Sequence, residues 1–137
     1  MKILFESPHL ISSYDAANSW LHLHWQGRHN EADSKSYALE VLKNIRLTRA
    51  TRVFNDATLD KDGWSELTRW LAQDFMQQVA EAGVVAVAWV LPENLLARTH
   101  VHNLLAQVSC PLIDTFVDVE AAYNWLKSGA AVAGPDC

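Results

Sequence analysis

Apolar and polar residues alternate along the first part of the chain, which is the pattern of short β-strands. Three strands are predicted there, over residues 3–5, 10–14 and 20–25. In the third strand, Trp20, His22 and His24 share one face, and the intervening residues share the other. The turn-forming pair Ser7-Pro8 separates the first two strands, so the chain is predicted to begin with a β-meander.

From Asn30 onward, the apolar spacing becomes that of helices, and short apolar runs lie between the helical segments. Four helices are predicted, beginning near Asn30, Trp64, Pro92 and Asp118. The strands between them are predicted over residues 53–54, 84–91 and 112–117. The strand at 53–54 is expected to stop at Asn55-Asp56 and to lead into an acidic loop over residues 57–63.

The alternation of strands and helices favours right-handed crossovers and parallel neighbouring strands. The predicted fold class is therefore α/β, with a single-layer mixed sheet that starts as an N-terminal β-meander and continues as alternating helices and strands. A chain of 137 residues has the length of one domain, which is expected to span residues 1–128. Residues 129–137 are rich in small side chains and are predicted to be a flexible tail.

The composition argues against several classes of function. A net charge of -5 with scattered basic residues argues against nucleic-acid binding, which needs clustered Lys and Arg. No run of ~18 uncharged apolar residues occurs, so no membrane span is expected. The two cysteines, Cys110 and Cys137, do not suggest a disulfide framework, and Cys110 is interpreted as a small buried hydrophobe. A cytoplasmic location is therefore expected.

No catalytic or cofactor-binding pattern is visible. The chain lacks G-x-S-x-G, glycine-rich phosphate loops and C-x-x-C pairs, so neither an enzyme nor a cofactor is expected. His22 and His24 share a strand face, as two metal ligands would, but a third ligand is not evident. His100 and His102 diverge by about 200° on a helix and cannot form such a pair. No metal site is predicted.

The candidate binding site comprises Asn55 and Asp56 at a strand end, with Trp64 and Ser65 at the start of the next helix. Open α/β sheets bind ligands beyond the carboxyl ends of their strands, where backbone N–H groups of helix N-termini also point. In the alternative interpretation, the two polar residues satisfy loop backbone groups and Asp62 caps the helix.

A possible interface is predicted on the face that carries Trp20, His22 and His24. An outward aromatic residue there suits either a self-association surface or a helix resting on that face. Trp64 is similarly open to two interpretations, because it could line an apolar cleft or pack in the core, and the core is favoured.

Several short signatures occur in order along the chain: Val53-Phe54-Asn55-Asp56, Gly63-Trp64-Ser65, Val87-Ala88-Trp89-Val90, Phe116-Val117-Asp118 and Trp125-Leu126. Together they make residues 1–127 resemble the STAS-like family, the group that includes bacterial anti-sigma-factor antagonists. The resemblance is closer to a branch of small bacterial STAS-like proteins that is sometimes grouped with CRAL-TRIO-type lipid-binding domains. It implies a STAS-like fold.

The resemblance also implies where a regulatory site would lie. In anti-sigma-factor antagonists, the strand matching residues 53–56 leads into a helix whose N-terminal serine is phosphorylated to break a partner complex. Here Ala57 and Thr58 follow the strand, and Ser65 lies in a different local setting. The usual phospho-serine switch is therefore expected to be missing.

These observations predict a non-catalytic regulatory or protein-interaction module of STAS-like type that binds a protein partner, itself as a homodimer, or both. The alternative is a module that binds a small apolar molecule or a lipid in a cleft near residues 55–65. A pocket of roughly a few hundred Å³ lined by Trp64, Phe75 and Trp89 would favour this alternative, whereas a filled core would not.

Overall fold

One mixed sheet of six strands forms the centre of the computed structural model, which describes residues 1–62 and 64–128. The strands lie side by side in chain order: β1 (Lys2–Glu6), β2 (Leu10–Asp15), β3 (Trp20–Arg28), β4 (Arg52–Asp62), β5 (Ala86–Val90) and β6 (Leu112–Phe116). The first three are antiparallel, and β3 to β6 are parallel. The predicted fold class, an α/β mixed sheet with an N-terminal meander, is confirmed.

Four helical segments connect or follow the parallel strands: α1 (Glu31–Thr48), α2 (residues 65–81), α3 (Leu95–Leu105) and α4 (Val119–Lys127). The side chain of Asn30 caps α1 by accepting a hydrogen bond from the N–H of Asp33 at 2.8 Å. Asp118 caps α4 in the same way. The third helix begins later than predicted from Pro92, because Asn94 supplies its cap.

The sheet has a helical layer on each face. Consecutive parallel strands that are also neighbours in space place their crossover helices on one side, so α1, α2 and α3 share a face and a core with Leu23, Val53 and Val87. Helix α4 follows the last strand without a crossover and packs on the opposite face. Its Ala122 and Leu126 lie in a second apolar cluster.

Strand β4 is much longer than predicted. It runs beside β3 as far as Asp62, which lies opposite Arg28, so most of the expected loop over residues 57–63 is strand. The prediction was wrong because Asp60, Lys61 and Asp62 are typical of loops, yet Asp60 faces the interior and is paired there. Asn55 and Asp56 therefore lie within the strand rather than at its end.

Segment α2 is irregular, although one helix beginning near Trp64 was predicted. A 3-10 turn (Ser65–Leu67), a short α turn (Thr68–Trp70), a π turn (Leu71–Phe75) and an α-helix (Met76–Glu81) follow one another. The π turn brings Leu71 and Phe75 to the same buried side despite the altered period. Gly83 follows the segment with a φ of +108°, a left-handed conformation that favours glycine at a helix end.

No helix within residues 1–62 and 64–128 is long and apolar enough to span a membrane. Cys110 is disulfide-bonded and half-buried, so its interpretation as a small buried hydrophobe was wrong. The cysteines therefore no longer support the expected cytoplasmic location. The predicted tail over residues 129–137, with Cys137, lies outside the described residues.

Candidate functional site at the carboxyl edge of the sheet

Asn55 is a core residue. Because β4 continues past it, its side chain points to the face covered by α1 and α2, where only 5% of the residue is exposed. The Nε1–H of Trp25 donates to its Oδ1 at 2.8 Å. This bond satisfies a buried indole on the neighbouring strand, so Asn55 has a structural partner.

Asp56 points to the opposite face of the sheet from Asn55, since successive strand residues alternate. Its Oδ1 accepts hydrogen bonds from the backbone N–H of Thr58 at 3.0 Å and from the Thr58 hydroxyl at 2.6 Å. Its Oδ2 lies 3.8 Å from Nδ1 of His24. The predicted pairing of Asn55 with Asp56 in one site was therefore wrong.

Trp64 and Ser65 also lie in different surroundings. Trp64 is half-buried, packs edge-to-face on Trp25 with ring centroids 5.0 Å apart, and donates from Nε1 to Oδ2 of Asp60 at 2.9 Å. Ser65 is exposed at the start of the 3-10 turn. Asn55 and Trp64 thus both contact Trp25, whereas Asp56 lies on the opposite face of the sheet and Ser65 is exposed.

A buried polar cluster that was not predicted joins the ends of β3 and β4. The Nε2 of His29 lies 3.0 Å from Oδ1 of Asp60, and both residues are almost fully buried. Nδ1 of His29 hydrogen-bonds to the hydroxyl of Ser34, and that hydroxyl donates to the carbonyl of Asn30 at 2.7 Å. A histidine after one strand and an aspartate 31 residues later could have indicated the pair, but only if residues 57–62 had been recognised as strand.

The hydrogen bonds of this cluster are continuous. Ser34 gives its single proton to the Asn30 carbonyl, so its oxygen accepts from Nδ1–H of His29. Asp60 already accepts from Trp64, and its second oxygen faces Nε2 of His29. The contact between Nε2 of His29 and Oδ1 of Asp60 therefore links the hydrogen bonds of Trp64 and Ser34 into one chain.

The cluster contains the residue types of a Ser-His-Asp hydrolase but lacks their accessibility. Ser34 is completely buried, and its hydroxyl proton is directed to the backbone of its own helix. We therefore interpret His29, Asp60 and Ser34 as a polar lock that holds α1, β3 and β4 together.

An open cleft of about 450 Å³ lies beside the lock at the carboxyl edge of the sheet. His9, Gln26, Thr58, Lys61, Glu93 and Asn94 contribute to its walls. The N–H of Glu93 donates to the Thr58 carbonyl at 3.0 Å, which brings the loop before α3 against β4. The cleft is in the size range of ligand sites.

Gly27 is required for the shape of this edge. Its φ is +75°, and a Cβ at this position would meet Nδ1 of His9 at 3.2 Å. The same His9 nitrogen lies 3.0 Å from the Gln26 carbonyl, to which it donates, so the ring is held against the end of β3. A side chain at position 27 would disturb both the backbone and His9.

A separate cavity of about 60 Å³ lies between the sheet and the helices α1, α2 and α3. Its walls include Trp64, Phe75 and Trp89, the residues expected around an apolar pocket. Its volume is well below the few hundred Å³ that would accommodate a lipid or a drug-sized ligand. The core on this face is therefore nearly filled.

The predicted interface at Trp20 was wrong. Trp20 is 1% exposed because α4 covers it: its ring stacks on Phe54, and the ring of Tyr123 meets it edge-on at 5.3 Å. Arg52 lies on the ring of Trp20, with its guanidinium carbon 5.3 Å from the ring centroid. This face was predicted to be either a self-association surface or the packing surface of a helix, and the structure shows a helix packed on it.

His22 and His24 lie on the same face of the sheet as Trp20 and are half-buried. The ring of His22 is stacked on Phe54 with centroids 5.1 Å apart. Burial lowers the pKa of His22 and outweighs the nearby Asp56 carboxylate. In the part of the chain that the structure describes, no group of three or more His, Cys, Asp or Glu residues is arranged to hold a metal ion.

Comparison of the chain with protein-family models, with curated proteins and with solved structures gives no significant match. The function of the carboxyl edge is therefore inferred from the contacts that its residues make.

Proposed function

We propose that this chain is a non-catalytic protein-interaction module of STAS-like type and that its partner protein docks at the carboxyl edge of the sheet. The supporting observation is a group of exposed leucines beside the open cleft. Leu59, Leu95 and Leu96 are 48%, 76% and 56% exposed, respectively. The contact between Glu93 and Thr58 places the start of α3, which carries two of them, next to the strand that carries the third.

The surroundings of these leucines suit a protein interface. Lys61 and Glu93 are exposed at the cleft, so charges of both signs lie around an apolar centre, as in typical protein–protein contacts. The lock between His29 and Asp60 lies directly behind this edge and ties its strands together. A surface whose supporting elements are already tied together loses less conformational entropy when a partner binds.

The order of the strands and the short signatures along the chain support the STAS-like assignment. A phospho-serine switch is not part of the proposal, because β4 continues through the segment where that serine would follow the strand. Self-association through Trp20 is not proposed either, since Trp20 is buried beneath α4.

The test compares a triple variant, Leu59→Ser with Leu95→Ser and Leu96→Ser, with a control in which Leu39 and Leu47 become Ser. The control leucines are also exposed, at 47% and 70%, but lie on α1. Both variants and the wild-type protein are expressed in the source cells, and the proteins that purify with each are quantified. Circular dichroism and thermal unfolding establish that each variant is folded.

We expect a partner that purifies with the wild-type protein and the control and is lost from the triple variant. Equal recovery with all three proteins, or no enriched partner at all, would contradict the proposed docking surface. Light scattering on the wild-type protein separately tests self-association: a dimer that the triple variant abolishes would identify a second copy as the partner.

A further inference from the structure

Exposed apolar residues continue along the carboxyl edge beyond the leucines of the proposed docking surface. Val117 and Val119 are 74% and 46% exposed and lie on either side of the residue that caps α4. The N–H of Leu91 donates to the carbonyl of Phe116 at 2.8 Å, which holds the end of β6 against the segment that leads from β5 to α3. The apolar surface at this edge therefore extends from β4 to the start of α4.

Carboxylates surround these apolar residues. Exposed acidic side chains lie at the start of each helical segment: Glu31 in α1, Glu66 in α2, Glu93 before α3, and Asp118 and Glu120 at α4. Arg28 and Lys61 are exposed at the ends of β3 and β4 but do not balance these carboxylates. The edge is therefore apolar with a predominantly acidic rim.

Helix stabilisation accounts for only part of this charge. Asp118 caps α4, and Glu31 lies in the first turn of α1, where the helix dipole favours a carboxylate. Glu66 instead belongs to a three-residue 3-10 turn that has no side-chain cap. Its hydrogen bond with Glu31, the charge of Glu31 and the more distant charge of Asp62 raise the pKa of Glu66. These carboxylates are thus more crowded than the helix starts require, and a cation beside them would relieve the repulsion.

The acidic group formed by Glu31, Asp62 and Glu66 lies beside the exposed leucines. Asp62 follows Leu59 by three residues on β4, and its Oδ1 lies 4.0 Å from Nδ1 of His100 on α3. His100 is one helical turn after Leu96, so the two residues share a face of α3. A partner that packs on the leucines therefore comes next to the acidic group.

We propose that the partner docks with a basic segment, whose apolar side chains pack on the exposed leucines and whose Lys or Arg side chains pair with the carboxylates around them. This inference rests on the proposed function, because it names the partner of the same surface. Complementary charge speeds association and discriminates against wrong partners. Nucleic acids, anionic membranes and a second copy that docks through the same edge are all negatively charged and would be repelled.

The probes are two labelled amphipathic peptides, one built of Leu and Lys and one in which Glu replaces every Lys. Fluorescence anisotropy measures the affinity of each peptide for the protein. The edge variant combines Glu66→Gln with Glu93→Gln, and its matched control combines Asp74→Asn with Glu81→Gln, at exposed positions later in α2. Both variants remove two negative charges. The triple leucine variant described above tests the apolar part of the surface, and circular dichroism establishes that every variant is folded.

We expect the Leu–Lys peptide to bind the wild-type protein and the control variant equally. The edge variant should bind it about fivefold more weakly, mainly through slower association, and the triple leucine variant should not bind it measurably. In NMR titrations of the wild-type protein, the amide signals of Leu59, Leu95 and Leu96 should shift, whereas that of Leu47, in the last turn of α1, should not. The Leu–Glu peptide should not bind.

The variants separate failure of this inference from failure of the docking surface. Loss of binding in the triple leucine variant with no difference between the edge and control variants would leave the docking surface intact and overturn the basic partner. Equal affinity for the two peptides, or no binding of the Leu–Lys peptide at about 1 mM, would also overturn it. Binding that persists in the triple leucine variant would overturn the docking surface and this inference with it.

Discussion

The side chains of His29 and Asp60 meet inside the protein, with Nε2 of the histidine 3.0 Å from Oδ1 of the aspartate. This contact joins the carboxyl ends of two neighbouring parallel strands. Ser34 extends it to α1, and Trp64 extends it to the segment that leads into α2. Four elements are thus tied together beside the open cleft, so the contact positions the proposed docking edge.

Replacement of Asp60 with Ala should destabilise the protein strongly. The change leaves the buried imidazole of His29 and the indole N–H of Trp64 without their shared acceptor, which typically costs about 3 kcal/mol or more. Urea unfolding measures the free energy of unfolding directly. Asp74→Ala, at an exposed position of α2, is the control and should change it by less than about 0.5 kcal/mol. Equal effects of the two substitutions would show that the contacts of Asp60 contribute nothing to the free energy of unfolding.

Asn55 and Asp56 should respond differently to truncation, although they are adjacent. Asn55→Ala leaves the buried N–H of Trp25 unpaired and should cost about 1–3 kcal/mol in the free energy of unfolding. Asp56→Ala removes bonds to a half-buried neighbour, Thr58, and should cost about 1 kcal/mol. Urea unfolding of both variants checks the order. A greater loss at Asp56 would contradict the assignment of Asn55 to the core.

Local signals in the sequence were sufficient for the meander and for the helix starts at Asn30 and Asp118. Each of these depends on residues a few positions apart. The outer half of β4 was missed because the partner of the inward carboxylate of Asp60 is His29, which is distant in sequence. The end of the strand, where the binding site was predicted, was misplaced for the same reason. Once β4 is extended, the strand end lies at Asp62 rather than at Asp56.

The burial of Trp20 could not be predicted for a related reason. The alternation of β3 shows which residues share a face, but not which helix covers it. The answer depends on which face of the sheet α4 packs against after β6, more than ninety residues later in the sequence. The π turn in α2 likewise has no signature in the apolar spacing, because Leu71 and Phe75 also fit a regular helix.

Trp20→Ala should destabilise the fold rather than alter an interface. Removal of this indole leaves a cavity between Phe54 and Tyr123, which typically costs about 3–5 kcal/mol. Leu47→Ala, at a residue that is 70% exposed, is the control and should be nearly neutral. Chemical unfolding gives both values. If Trp20→Ala instead left stability unchanged and altered the mass by light scattering, its burial beneath α4 would be wrong.

Glu66→Gln should make the protein more resistant to heat at neutral pH. The hydrogen bond with Glu31 and the repulsion between the two carboxylates raise the pKa of Glu66, so the folded state loses stability as the pH rises through that pKa. The gain in Tm should shrink as the pH falls toward 4.5, the ordinary value for this group. Glu93→Gln, at an exposed residue, is the control for the loss of one negative charge. The same gain for both variants would exclude the Glu31–Glu66 contact as its cause.

His22 should make the folded state sensitive to acid. Burial against Phe54 lowers the pKa of its imidazole; the carboxylates of Asp56 and Asp15 oppose this shift, and His24 adds to it. The unfolded chain therefore takes up a proton near the ordinary value of 6.5, whereas the folded protein takes it up only at lower pH. Stability should accordingly fall as the pH decreases from above 6.5 toward the lowered pKa of the folded state.

The variant His22→Gln cannot titrate at this position and should lose less stability than the wild-type protein between about pH 7.5 and about pH 5.5. Urea unfolding at the two pH values measures the difference. His102→Gln, at an exposed histidine of α3, is the matched control and should keep the acid sensitivity of the wild-type protein. If His22→Gln and the wild-type protein lost the same free energy over this range, the half-buried imidazole on Phe54 would not be the source of the acid sensitivity.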